Sequence, residues 1–156
     1  MTGTGLPLAG VRVVEMTHMV MGPTCGMILA QLGAEVIKVE PPAGDKTRSL
    51  GGMGTSFFPL FNRGKRSVVL DFEQPADRDT MHRLLQTADV FLENFRDGQL
   101  EKQGLGADEL RRRHPHRPVR KLPVPGGPAH GRIRDDRQQA ALDAGTRTRL
   151  ADLRHF

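Results

Sequence analysis

The chain has 156 residues, 37% of them hydrophobic, with no Trp and no Tyr, which allows one ordinary domain and is lean for a single well-filled core. Its formal charge of +5 is unevenly spread: residues 1–110 carry 11 Lys and Arg against 14 Asp and Glu, whereas residues 111–156 carry 12 against 4, so a slightly acidic front precedes a strongly basic tail. The one cysteine, Cys25, excludes an intrachain disulfide and suits a reducing cytoplasm, Met1–Leu8 has neither part of a secretory leader, and no apolar run approaches the roughly 18 residues of a membrane span.

Residues 11–16, Val-Arg-Val-Val-Glu-Met, form a β-branched run that suits a strand. Gly22-Pro23-Thr24 then supplies turn and cap chemistry, and Met27, Ile28, Leu29 and Leu32 recur at helical spacing. Gly33 stands where a helix C-terminus favours positive φ, and residues 35–39 read as a second strand. Strand, helix and strand make one βαβ unit, whose right-handed crossover sets the two strands parallel in one sheet. Residues 41–56 form a loop rich in Gly, Pro, Ser and Thr, and residues 67–71 a third strand. Pro75 opens a helix to about Thr87, with Met81, Leu84, Leu85 and Ala88 on its inner face. Residues 90–92 are a fourth strand, and a last short helix covers 107–113, stopping near Pro115.

Beyond Pro115 the pattern lapses. Pro118, Pro123, Pro125 and Pro128 come close together, Arg and Asp dominate from Arg132 to Arg154, and only residues 140–153 keep a weak helical spacing. The expected fold is α/β: a partial Rossmann-like parallel sheet over residues 1–115, then an irregular, Arg/Pro-rich tail over residues 116–156.

In open α/β sheets, ligands sit outside the C-terminal ends of the parallel strands. Three segments meet that description: Thr17 to Pro23, Glu40 to Arg48, and Glu93 to Arg96. Just before the third strand, Arg63, Lys65 and Arg66 fall within four positions beside Gly64. Such a turn can offer backbone N–H groups and cationic side chains to phosphate oxygens. It can equally be a solvated turn before an edge strand, since short charge runs are usually surface.

The stretch from Leu8 to Pro115 closely resembles the family III CoA-transferases, the CaiB/BaiF group that includes formyl-CoA transferase, carnitine CoA-transferase and α-methylacyl-CoA racemase. The resemblance rests on Leu8-Ala9-Gly10-Val11-Arg12-Val13-Val14-Glu15, on Gly22-Pro23, and on the run from Leu32 to Glu40. It continues through Gly44-Asp45-Lys46-Thr47-Arg48, Asn62-Arg63-Gly64-Lys65-Arg66-Ser67, Leu70-Asp71, Ala88-Asp89-Val90 and Glu93-Asn94-Phe95-Arg96. Each piece is weak alone; their shared order and spacing make them specific together.

The resemblance implies that coenzyme A binds across the C-terminal edge of the sheet as substrate and acyl carrier, with no metal. By that likeness Lys65 and Arg66 would meet CoA phosphates, and Asn94 and Phe95 would hold the adenine and pantetheine side. Lys102 stands where relatives often carry an Arg that also contacts CoA; it keeps the charge but loses the bidentate fork. Pro41 replaces an Arg that some relatives place near the adenine. Val20 stands where formyl-CoA transferase has a Gln, which argues against formate or oxalate. The implied reaction moves CoA between an acyl-CoA thioester and a carboxylic acid, through attack of an aspartate on the thioester to form an enzyme-bound anhydride. Racemases of the family use an acid–base pair at the α-carbon instead. In both cases the acting residues lie beyond Pro115, so no catalytic residue is assigned, and Asp135, Asp136, Asp143 and Asp152 sit in no matching motif. The expected reading is therefore a chain truncated before the catalytic aspartate, its tail translated from a shifted frame of a GC-rich gene. A non-catalytic remnant that binds CoA or a subunit is the reading of another class. Relatives form interlocked dimers, so a homodimer is expected for the full-length protein.

Three sharper readings compete with bland ones. Cys25 near a helix start could be a nucleophile, but no general base is placed beside it, and a small packing residue is the expectation. His18 at a strand end suits a hydrogen-bonding role near the ligand. His114 and His116 lack the further ligands of a metal site. The basic tail has Phe156 as its sole aromatic and no nucleic-acid motif, so neither nucleic acid nor membrane is an expected partner.

Overall fold

The computed structural model describes residues 5–114 and two short strands at 120–123 and 149–152. The elements run β1 (Arg12–Met16), α1 (Met21–Gln31), β2 (Glu35–Glu40), α2 (Phe57–Phe61), β3 (Arg66–Val69), α3 (Pro75–Thr87), β4 (Val90–Glu93), α4 (Gln99–Lys102), α5 (Ala107–Arg113), β5 (Arg120–Pro123) and β6 (Arg149–Asp152). Two 3-10 turns, Lys46–Ser49 and Gly52–Ser56, punctuate the long loop between β2 and α2. The sheet order is β3-β2-β1-β4-β6-β5. The first four strands are mutually parallel, β6 runs antiparallel to β4, and β5 antiparallel to β6.

Alternation along the strands sorts the core into two layers. Val14, Met16 and Phe91 face α3, α4 and α5, where they pack with Met81, Leu85, Leu100 and Leu110. Val13, Val36 and Leu92 face α1 and pack with Cys25, Leu29 and Ala30. In α1 the first turn includes Pro23, whose missing N–H would be unpaired there in any case. Gly33 closes that helix at φ +102°.

The βαβ unit and the helices at 75–87 and 107–113 stand where the sequence puts them. Helix α1 already includes Gly22-Pro23-Thr24, read from the sequence as turn and cap, because Thr24 bonds back to the Val20 carbonyl through both its N–H and its hydroxyl. Helices α2 and α4 were not expected; at five and four residues they are too short to show a period. The tail reading is corrected in part. Arg120–Pro123 and Arg149–Asp152 are strands, the second inside the stretch read as weak helix. Pairing against β4 outweighs local preference there, and Pro123 is tolerated because β5 lies at the sheet edge. The rest of residues 116–156 lies outside the described residues.

Candidate functional site

The chain leaves β1 towards β2 on one side and returns on the other side as β4, so the topological switch point lies between β1 and β4. Two loops meet at its C-terminal mouth. After β1, the His18 N–H donates to Asn94 Oδ1 (3.0 Å) and Asn94 Nδ2 donates to the His18 carbonyl (2.9 Å). This buried amide thus clasps the first loop as a neighbouring strand would. The next residue, Met19, takes φ +67°, a strained value for a side chain of that size. The Phe95 ring lies 5.2 Å from that of His18, and the Phe95 N–H donates to the Glu93 carboxylate (2.8 Å). Burial, helped by the Lys38 and Lys46 charges and opposed by Asp45, holds the His18 imidazole below its ordinary pKa. Its Nδ1 is buried with no hydrogen-bond partner.

Beneath α1, the sheet face turns from apolar to ionic as it nears this mouth. Lys65 Nζ sits 2.8 Å from Glu15, Lys38 Nζ 3.7 Å from Glu15 and 2.8 Å from Asp45, so four buried heads alternate in sign. Lys38 also donates to the Thr17 carbonyl (2.6 Å), which ties the loop after β1 to the loop after β2. Helix α1 can lie this close because of two glycines one turn apart. A Cβ at Gly22 would meet Thr17 at 2.6 Å and Asn94 at 3.0 Å, and one at Gly26 would meet Glu15 Oε2 at 1.8 Å. Neighbouring Cys25 is half-buried; burial, then the Glu15 charge, raises its thiol pKa against the pull of Lys65, which suits packing and not nucleophilic attack.

The loop after β2 is pinned by Glu40, which accepts from Arg48 (2.7 and 2.8 Å), Ser67 (2.5 Å) and the Asp45 N–H (3.0 Å). Burial opposes its charge, yet these donors win and hold Glu40 at a pKa of about 2. Arg48 also stacks 3.6 Å over Phe58. Beside this loop, a cavity of about 900 Å³ opens at the C-terminal ends of β2 and β3, lined by Pro41, Pro42, Leu70 and Asp71 and walled by α3 and the α4 turn. Lys102 stands exposed in that wall.

The five expected site residues therefore fall in four places. Asn94 and Phe95 lie together at the switch point, and Lys102 lies in the wall of the cavity at the ends of β2 and β3. Lys65 is turned inward: its three donors go to Glu15, the Pro23 carbonyl (2.8 Å) and Asn62 Oδ1 (3.0 Å). Burial lowers its pKa even against Glu15. Arg66 is 77% exposed and bonds Glu35, which opens β2 at the opposite end of the sheet. The reason is topological. A turn that precedes a parallel strand cannot share an edge with residues that follow one, and β3 and β4 are three strand spacings apart, about 14 Å. Among the described residues no group of three potential metal ligands occurs, and no helix is long and apolar enough to cross a membrane.

Fold and site together define an open α/β protein with a switch point between β1 and β4 and a cavity at the C-terminal ends of β2 and β3. The sequence model of CoA-transferase family III matches residues 8–116, and the chain belongs to that family. Rv3272 of Mycobacterium tuberculosis, a probable fatty acyl-CoA transferase, is 45% identical over 128 residues, 78% of this chain and 32% of its own length. Succinate–glutarate CoA-transferase of Agrobacterium fabrum is 41% identical over 116 residues, 67% of this chain and 29% of its own. A crystal structure of Rv3272 superposes with a TM-score of 0.67 at 48% identity, covering 71% of this chain and 31% of that one. The chain thus spans about a third of the length of the curated relatives it matches.

Proposed function

We propose that this chain forms the CoA-binding part of an enzyme that moves CoA between an acyl-CoA thioester and a carboxylic acid. The observation that carries the reading is the cavity at the C-terminal ends of β2 and β3, with Lys102 in its wall. It has room for a nucleotide and a cation for its phosphates. Phe95, Asn94 and His18 stand after β4 and β1 at the same C-terminal edge of the sheet, where a pantetheine arm crossing from the cavity would lie. Lys65 and Arg66 take other roles in this proposal. Lys65 supports the floor of α1, and Arg66 stays on the far edge.

The carboxylates nearest the mouth are engaged: Glu15 with Lys65, Glu40 with Arg48 and Asp45 with Lys38. We therefore assign the nucleophilic aspartate to a part of the family's fold outside residues 8–116. The proposal includes a cytoplasmic homodimer of the full-length protein. Names among the relatives cover several acids, so the acyl partner is not part of the reading.

Calorimetric titration of the chain with CoA tests it. Wild type binds, and Lys102→Ala weakens binding about tenfold or more, as expected for loss of a charge-assisted hydrogen bond. No heat from wild type, or an unchanged Lys102→Ala isotherm, would falsify this placement.

A further inference from the structure

Lys38, on β2, is 1% exposed, and burying an ammonium is costly unless its contacts repay it. Its head lies 2.8 Å from Asp45 and 3.7 Å from Glu15, and it also donates to the Thr17 main-chain carbonyl (2.6 Å). Neutralising the charge needs only the two carboxylates. The third contact reaches a peptide one residue beyond the end of β1, and its position gives it a use. Strand β1 ends at Met16, between β2 and β4, and the ladders on both sides stop there. The next two peptides are nevertheless held, one from each side. Lys38 of β2 takes the Thr17 carbonyl, and Asn94, just after β4, takes the N–H and carbonyl of His18. Side chains thus continue the sheet where the backbone has left it.

Directly after these two held peptides, Met19 takes φ +67°. A strained residue persists only where its surroundings over-determine it, and the two side chains supply that constraint. Met19 itself is 44% exposed, so this turn faces outward at the C-terminal edge of the sheet. The loop after β2 depends far less on Lys38. Glu40 fastens it through Arg48 and the Asp45 N–H, and Asp45 also accepts from the Thr47 N–H and hydroxyl. Loss of the Lys38 ammonium would therefore free the turn after β1 and leave the cavity beside the loop after β2 in place.

We propose that Lys38 is a positioning residue: through the Thr17 carbonyl it fixes the His18–Met19 turn, against which the pantetheine arm of the ligand lies. This rests on the reading of CoA as the ligand.

The test titrates CoA and adenosine 3′,5′-bisphosphate, which lacks the arm, into the same protein by calorimetry and takes the ratio of the two affinities. Any loss of folded protein cancels from that ratio. Wild type should bind CoA the more tightly. Lys38→Met combined with Asp45→Asn removes the ammonium with one carboxylate and leaves the Lys65–Glu15 pair intact. It should lower the ratio about tenfold, the worth of a hydrogen bond to a charged group, with the bisphosphate bound as in wild type. Asp45→Asn alone keeps Lys38 on Thr17 and should keep the wild-type ratio. If the double variant does not fold, Lys38→Gln with Asp45→Asn is read in its place; its amide keeps a polar head in the site but is a methylene too short for the Thr17 carbonyl. An unchanged ratio in the charge-balanced variant, or an equal fall with Asp45→Asn alone, makes Lys38 structural; the inference is then wrong and the CoA reading survives. The same holds if wild type binds the two probes equally. If wild type binds neither probe, both are wrong.

Discussion

Glu40 shows how one carboxylate can organise a binding edge. Its two oxygens collect Arg48, Ser67 and the Asp45 N–H, so the loop that borders the cavity is fastened at its root. Because its pKa is depressed on folding, from 4.5 to about 2, the stability it confers is complete above the unfolded value. That stability is lost as pH falls through the folded value. We expect unfolding free energy to decline between about pH 4.5 and pH 2, with Glu40 supplying at most about 3 kcal/mol of the fall. Glu40→Gln should flatten this limb in urea titrations run at several pH values; an unchanged acid limb would remove Glu40 from the account. At the same scale, Asn94 and Phe95 were readable in the sequence because they follow a strand in a motif. The fastening of Ser67 to Glu40, 27 positions away, was not, since a long-range partner has no signature in the order of residues.

Helix α1 is defined more by what it lacks than by what it presents. Gly22 and Gly26 leave a bare strip along its underside, and that strip lets the helix settle over Asn94, Thr17 and the Glu15 carboxylate. Gly26→Ala would drive a methyl into Glu15, an atom already committed to Lys65. The expected loss is about 2–4 kcal/mol, as for overpacking combined with a disturbed buried ion pair. Chemical denaturation measures it, and a loss below ~1 kcal/mol would show that the helix can lift without harm. The sequence pattern marked the helix by its apolar residues and treated Gly22 as a turn. The four-residue glycine spacing was available but has no meaning until the charged face beneath it is known. Long elements with a clear period, such as α3, were readable to the residue; α2 and α4 owe their form to the surfaces they close.

Across the whole molecule, the strand order was less accessible than the strands. Local pattern shows that β1 and β2 are parallel neighbours, but not that β4 lies on the far side of β1, which is the arrangement that creates the switch point. The basic turn was misplaced for that reason. Its charges were visible, whereas the edge of the sheet they occupy depends on which way every strand runs. Glu15 and Lys38 did carry a hint. A charged residue at an inward position of a strand covered on both faces must meet an opposite charge or fail to fold.

The row Lys65, Glu15, Lys38, Asp45 closes on itself electrically, and this constrains how the protein can change. Removing Lys65 alone leaves two buried anions, Glu15 and Asp45, to share Lys38, and should cost about 3 kcal/mol or more. Removing Lys65 and Glu15 together, as Lys65→Met with Glu15→Gln, leaves Lys38 and Asp45 a neutral couple and should recover about 1–2 kcal/mol of that loss in a double-mutant cycle. Strict additivity in the cycle would show that the members act independently. Inherited variation along the row should therefore arrive as matched replacements, two positions at a time.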